Sequence, residues 1–279
     1  YTPYYSCSCL AFIKNKIMTI TYPSPIFGPV KSRRLGISLG INLMPGDGKW
    51  CSFDCLYCEC GLNKDKKAKQ TLPSVEEVKE KLEAKLKEMS ARGEELNVLT
   101  FSGNGEPTMH PSFLEIVENV IILRNEYYPE AKVSVLSNST QVHRKDVFEA
   151  LMKVDNALMK LDTVSPEYIK LVDQPNVNYN IENIIDCLEK MKGHAIIQTM
   201  FMKGNIKDKN GKEISVDNCK DEYIIPYIDA LKRISPKKVM IYTLDREWPT
   251  EGLIKASKET MDSIAEKIRN AGFETSVSY

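Results

Sequence analysis

The sequence predicts an α/β fold on a mainly parallel sheet, and three observations carry that prediction. Short strand-like runs alternate with amphipathic helical runs, the strand-like runs are apolar almost throughout, and 279 residues suit one large α/β domain. The strand candidates are SLGINLMP (38–45), NVLTFSG (97–103), KVSVLSN (132–138), NALMKLD (156–162), AIIQTMF (195–201) and KKVMIYTL (237–244). Their Val, Ile, Leu, Met and Thr content is too continuous for a sheet with one wet face. Between them, 74–91, 113–127, 181–192 and 221–234 show helical spacing of apolar residues. The helical run 254–271 and the following FETSVSY offer a seventh strand. Right-handed crossovers would close such a βα series into an open doubly wound sheet or a barrel, complete or partial. Residues 18–45 read as a lead-in, and 203–220 as a polar excursion of Lys, Asp, Asn and Gly.

Thirty-eight basic residues balance thirty-eight acidic ones, so no global field draws the chain to nucleic acid or an anionic membrane. The basic clusters are short: Lys31/Arg33/Arg34 and Lys64/Lys66/Lys67/Lys69. No apolar run approaches the roughly 20 residues that span a bilayer, and no membrane role is expected. The N-terminal YTPYYSCSCLAFIKNKIM lacks a convincing secretory h-region. Residues 1–17 therefore read as a disordered extension or upstream segment, with 18–279 forming one domain. Unevenly spaced cysteines argue against a disulfide framework and for a reducing, cytoplasmic compartment.

The stretch KWCSFDCLYCECG (49–61) places four of eight cysteines within ten residues, directly after the first expected strand. Cys51, Cys55 and Cys58 stand in CxxxCxxC spacing, where parallel α/β folds gather their chemistry. An iron–sulfur cube takes four thiolates, so three from one loop leave one iron open to a ligand. Two alternatives stand beside it: a zinc knot with Cys60 as fourth ligand, and a thioredoxin-like CxxC. Zinc knots usually pair two CxxC units across a longer gap, and no second pair is present.

CxxxCxxC with Tyr57 before its last cysteine resembles the signature of radical S-adenosylmethionine (radical SAM) enzymes. The resemblance implies a partial TIM barrel, (β/α)6, with Cys51, Cys55 and Cys58 holding a [4Fe-4S] cluster. The open iron would chelate the amino and carboxylate groups of SAM, and reductive cleavage would release methionine and a 5′-deoxyadenosyl radical. Tyr57 would lie near the adenine. Asn104-Gly105-Glu106 resembles the family's Gly-Gly-Glu element with its first glycine replaced, and its carbonyls with Glu106 would receive the SAM ammonium. LSNST (136–140) is similar to the family's Leu-x-Thr-Asn-Gly, bringing in Ser137 and Asn138. Lys160 and Asp162 in MKLDT stand where related enzymes place ribose-binding residues, and Gln198 and Thr199 would reach the SAM carboxylate or ribose. Arg246 would face the substrate or SAM carboxylate, or pair with Asp245 or Glu247. The likeness runs through residues 38–245 and rests on motif order.

GPVKSRRLGISLGINLMP (28–45) and YTLDREWP (242–249) resemble the iron–sulfur oxidoreductase or wyosine-synthase-like subgroup. The implied partner is an electron donor such as flavodoxin or ferredoxin. The alternatives are a tRNA-modifying enzyme, a glycyl-radical-enzyme activase, and a zinc- or cluster-stabilised binding module. Zero net charge favours a small metabolite or a peptide over tRNA as substrate. His110, His143 and His194 have no ligand spacing and read as surface or capping residues. Cys60 has no definite role, and Cys187 and Cys219 do not suggest a second cluster.

Overall fold

A strand apolar on both faces is stable only where both are covered, and the chain provides that cover with a helix layer and a curl. The computed structural model describes residues 20–32, 34–65, 67–207, 210–245 and 248–279. The expected extension 1–17 lies outside them, as do Arg33, Lys66 and Arg246. The strands in chain order are β1 (Ile26–Ser32), β2 (Gly36–Ile41), β3 (Val98–Phe101), β4 (Lys132–Ser137), β5 (Asn156–Lys160), β6 (Ala195–Met200), β7 (Met202–Lys207), β8 (Glu213–Ser215), β9 (Lys238–Tyr242), β10 (Leu253–Lys255) and β11 (Thr275–Ser278). The helices are α1 (Val75–Ala91), α2 (Phe113–Tyr127), α3 (Lys145–Lys153), α4 (Pro166–Tyr168), α5 (Ile181–Glu189), α6 (Asp221–Ile234) and α7 (Lys258–Asn270). Short α4 runs on into a π-turn, Ile169–Asp173.

Eight strands form one sheet in the order β1-β2-β3-β4-β5-β6-β9-β11. Only β1–β2 is antiparallel; every other neighbour is parallel. The sheet curls into an open half-barrel flanked by helices, the partial barrel expected, with β11 as the seventh parallel strand. Leu39, Leu99, Val133, Ala157, Ile197 and Val239 turn outward into a core shared with Leu82 and Leu86 of α1 and Ile184 and Leu188 of α5. The concave face differs along its length. Ser38 pairs with Thr100 (Oγ to Oγ1, 2.8 Å) and Asn156 donates to Ser134 (3.0 Å). Further along, Leu158, Ile196 and Met240 make a separate apolar cluster.

The sequence explains the helix starts. Ser74 accepts from the Glu77 amide at 3.1 Å, with Glu76 and Glu77 favourably placed in the first turn of α1. Val78, Leu82, Leu86 and Met89 then bury one stripe.

Two regions depart from expectation. The lead-in contains β1, which pairs back on β2. The excursion contains β7 and β8, which join β10 in a small antiparallel sheet of order β10-β7-β8. Only one side of that sheet is buried: Met202, Ile206, Val216 and Leu253 pack with Leu56, Tyr168 and Val172. Its other residues are mostly polar, Ile214 and exposed Ile254 apart, which hides the strands from a search for apolar runs. Helices α3 and α4 are not among the helical runs read from the sequence; α4, at three residues, is too short to show a stripe.

Phe101 is fully buried and meets Phe113 edge-on at 5.7 Å. Phe101→Ala should lower unfolding stability by about 3–5 kcal/mol in urea titration; a loss within error of zero would show that the helix layer does not close there.

Candidate active site

The long connection from β2 to α1 carries the cysteines, and backbone contact seats it on the end of β3. Trp50 N–H donates to Asn104 O (2.9 Å), and Glu106 N–H donates to Trp50 O (3.3 Å). This bridge requires Gly105: at φ 150°, an added Cβ would lie 1.8 Å from Trp50 O. Gly103, at φ 126°, is similarly closed by Asn42, whose Oδ1 would stand 2.6 Å from a Cβ. Buried Asn42 joins the two loops by accepting from the amides of Met44 (3.2 Å) and Asn104 (3.0 Å). The Asn104 side chain turns to the lead-in, donating to Tyr22 O and Pro45 O (both 2.8 Å) and accepting from Tyr22 N–H (2.9 Å). What this stretch offers a ligand is therefore its backbone.

Later βα loops grip the cysteine loop from above. Asn176 donates from its backbone to Ser52 O and from its side chain to Cys51 O, each at 2.9 Å. Leu56 N–H donates to Val172 O (2.9 Å) and Asp54 N–H to Asp173 O (3.0 Å), so the π-turn backs the loop. Ser52 Oγ lies 2.6 Å from Thr140 Oγ1. Asn138 donates to Ser52 Oγ (2.9 Å) and Cys51 Sγ (3.5 Å), and Phe53 N–H also points at Cys51 Sγ (3.5 Å).

Two lysines act on the three expected ligand thiols, Lys49 on Cys51 and Cys58 and Lys160 on Cys55. Lys49, 4% exposed, donates to Gly61 O (2.7 Å) and Asp54 (3.2 Å). Burial works to lower its pKa, but Cys58, Cys51, Cys55 and Asp54 outweigh burial and hold it protonated. Burial pushes the Cys51 thiol up to about 12 despite Lys49, and the Cys55 thiol well above its ordinary value. Cys58 is lowered, first by a hydrogen bond from Cys60 and then by Lys49. Cys60 Sγ donates to Gly103 O at 3.2 Å. Among the described residues, no three of His, Cys, Asp and Glu gather as they would around one metal ion. Ligands on different irons of a cluster stand farther apart than that. Thiolates that burial disfavours are what a cationic iron centre stabilises, so the donor set fits such a group.

Glu106 is buried at the end of β3 and brackets β4. Its Oε1 accepts from Thr108 N–H (3.1 Å), Thr108 Oγ1 (2.5 Å) and Ser137 Oγ (2.9 Å), and its Oε2 accepts from Asn138 N–H (2.6 Å). Burial raises its pKa against these donors. A carboxylate oxygen has two lone pairs, so Oε1 is filled and Oε2 keeps one acceptor position. Ser139 follows in the left-handed region at φ 68°, tied by its Oγ to Lys160 O (3.2 Å).

Tyr57, Lys160 and Asp162 also meet. Lys160 lies between Asp162 and Asp173, 2.8 Å from the latter, and 4.9 Å from the Tyr57 ring centroid. It donates to the Tyr57 hydroxyl, which donates to Asp162. Burial raises Asp173 and Lys160 pulls against it. Gln198 faces the concave side, where its amide bonds Tyr242. Thr199 does not face that side, which corrects the expectation for it: its Oγ1 donates to Leu161 O (2.8 Å) and lies 2.7 Å from the Tyr227 hydroxyl of α6. Neighbouring strand residues face opposite ways, so Gln198 and Thr199 cannot both enter one site. His110 is buried, and of the two roles expected of it, it takes the capping one, at the end of the turn Pro107–Met109. Its Nδ1 accepts from Ser112 N–H (3.1 Å), which leaves Nε2 to donate to Pro73 O (3.0 Å).

Sequence reasoning missed Lys49, Asn42, Ser52 and Asp173. Lys49 had one usable signal, its place two residues before the first cysteine.

Residues 47–211 match the family described as the Radical SAM superfamily. A UPF0026 protein of Methanocaldococcus jannaschii is 30% identical over 237 residues, covering 83% of this chain and 67% of that protein. A UPF0026 protein of Helicobacter pylori is 28% identical over 224 residues, covering 79% and 66%. The chain thus spans about two thirds of the length of these relatives. A radical SAM methyltransferase from Sphaerobacter thermophilus superposes with TM-score 0.62 at 15% identity, over 87% of this chain and 66% of that one, a likeness of fold.

Gly105→Ala should displace the cysteine loop. Anaerobic alkylation of Cys51, Cys55 and Cys58, followed by peptide mass spectrometry, should run at least about fivefold faster than in the parent, since strain and clash together cost about 1–3 kcal/mol. Equal rates would show that the bridge does not hold the loop. Glu106→Gln places an amide N–H₂ against existing donors and should cost about 1–3 kcal/mol of unfolding stability.

Proposed function

The chain belongs to the radical SAM superfamily, and from that premise we propose an enzyme that holds a [4Fe-4S] cluster on Cys51, Cys55 and Cys58 and binds SAM at the open iron. The observation that carries this reading is a loop that presents three closely spaced thiols, seated on Gly105 beside the strand ends and anchored by the buried Lys49 ammonium through Gly61 O and Asp54. With both groups bound, the centre supplies one electron to SAM, giving methionine and a 5′-deoxyadenosyl radical that takes hydrogen from a substrate.

The chain's own residues then have separable tasks. Lys49 offsets the negative charge of the thiolates. The Asn138 and Phe53 N–H groups at Cys51 stabilise its sulfur as an anion. The 103–106 backbone, with the remaining acceptor position of Glu106, lines the approach for the SAM ammonium, while Ser137 and Asn138 hold that carboxylate in place. Tyr57, Lys160 and Asp162 form a polar wall for the nucleoside, with Gln198 beside Lys160 on the next strand. Arg246 is assigned to the substrate or SAM carboxylate. The electron comes from a carrier such as flavodoxin or ferredoxin. The six described cysteines are unpaired, which suits a reducing cytoplasm. No helix among the described residues is long and apolar enough to cross a membrane. Residues 18–279 are read as one domain.

The test is anaerobic reconstitution followed by iron and sulfide analysis. The parent and Cys60→Ser should carry about four irons per chain, while Cys51→Ala, Cys55→Ala and Cys58→Ala should each lose the cluster. With dithionite and SAM, the parent should release 5′-deoxyadenosine. Full iron in Cys55→Ala would overturn the ligand assignment.

A further inference from the structure

The concave face of β2, β3 and β4 is polar and small where a packed barrel would be filled by large side chains. A cavity of about 170 Å³ lies there beneath the β1–β2 hairpin, lined among others by Arg34, Ser38, Thr100, Ser102, Glu59 and Leu136. Arg34 comes from the hairpin turn and reaches across to β9, where its guanidinium lies 4.5 Å above the Tyr242 ring. It also lines a smaller adjoining cavity with Tyr57, which brings it beside the cysteine loop. Its Nη1 is buried and has no hydrogen-bond partner, and no carboxylate among the described residues pairs with it. The cavity floor is the Ser38–Thr100 hydroxyl pair; one of those two hydrogens bridges the pair and the other is free to donate.

A buried guanidinium N–H without an acceptor is costly, and a bound oxyanion removes the cost. The planar fork matches carboxylate or phosphate oxygens two at a time. Stacking on Tyr242 fixes its plane, so little side-chain freedom is lost on binding. We propose that Arg34, above the Ser38–Thr100 floor, anchors the carboxylate or phosphate of a small polar substrate within the half-barrel. The assignment of that ligand as substrate rests on the function proposed above; the anion site itself does not.

The experiment titrates inorganic phosphate and, separately, oxalate into the anaerobically reconstituted full chain at constant ionic strength, followed by calorimetry. One of the two should bind at one site per chain, and which one binds identifies the oxyanion class. Arg34→Gln should weaken that binding at least about tenfold, with Arg34→Lys in between because a point charge replaces the fork. A second measurement needs no variant: phenylglyoxal modification of Arg34, mapped by peptide mass spectrometry, should slow when the bound probe saturates the parent. The proposal fails if neither anion binds at tens of millimolar, if Arg34→Gln binds like the parent, or if Arg34 is modified equally fast with and without probe. Binding is read without SAM or turnover, so its absence would leave the cluster assignment standing, and missing iron would leave the anion result standing.

Discussion

The site depends on one carbonyl meeting one missing side chain. Trp50 O occupies the space where any residue but glycine at 105 would carry a Cβ. That contact lets the cysteine loop run alongside the end of β3 instead of arching away from it. It also fixes the 104–106 backbone, from which Glu106 reaches to β4 and sets Ser137 and Asn138. Asn138 in turn points its amide at Cys51. One close approach thus orders four groups in sequence, and the sulfur positions follow from backbone sterics more than from the cysteines' own packing.

Electrostatics decides what that placement can hold. Burial makes Cys51 and Cys55 reluctant thiolates, while Lys49 is kept charged by the same sulfurs it faces. The loop's three potential negative charges therefore meet two cations, Lys49 and, at Cys55, Lys160. A similar imbalance recurs beside it, where Lys160 serves both Asp162 and Asp173. Both clusters are short of positive charge, and both border the space that a cationic centre and the sulfonium of SAM would enter.

The parallel strands were legible because burial on both faces writes itself as unbroken Val, Ile and Leu. The long helices α1, α2 and α6 were legible from their stripes and from caps such as Ser74. The β7–β8–β10 sheet was not, because a strand covered on one side alternates with Lys, Asn and Glu and resembles a loop. At the site, cysteine spacing and the order of the motifs singled out loops that the fold brings into contact with one another. They could not say which way a side chain turns: Gln198 and Thr199 look alike in sequence, and only the pleat separates them. Nor could they show that the Asn104 amide is committed to Tyr22 and Pro45, or that Lys49 is buried, since a lysine in sequence reads as solvated.

The grip on the cysteine loop also has a bearing on how the protein is made. Cys51 and Ser52 are held by Asn138, Thr140 and Asn176, and Tyr57 by Lys160 and Asp162. The separation from Cys51 to Asn176 is 125 residues. Contacts that distant form late, because intervening chain must be ordered before they reward closure. During synthesis the thiols emerge early and wait in an unfixed loop until Asn176 has left the ribosome. A cluster on these thiols would therefore be assembled in a chain already folded through β5 and the π-turn, and the thiols are open to oxidation or stray metal throughout that interval.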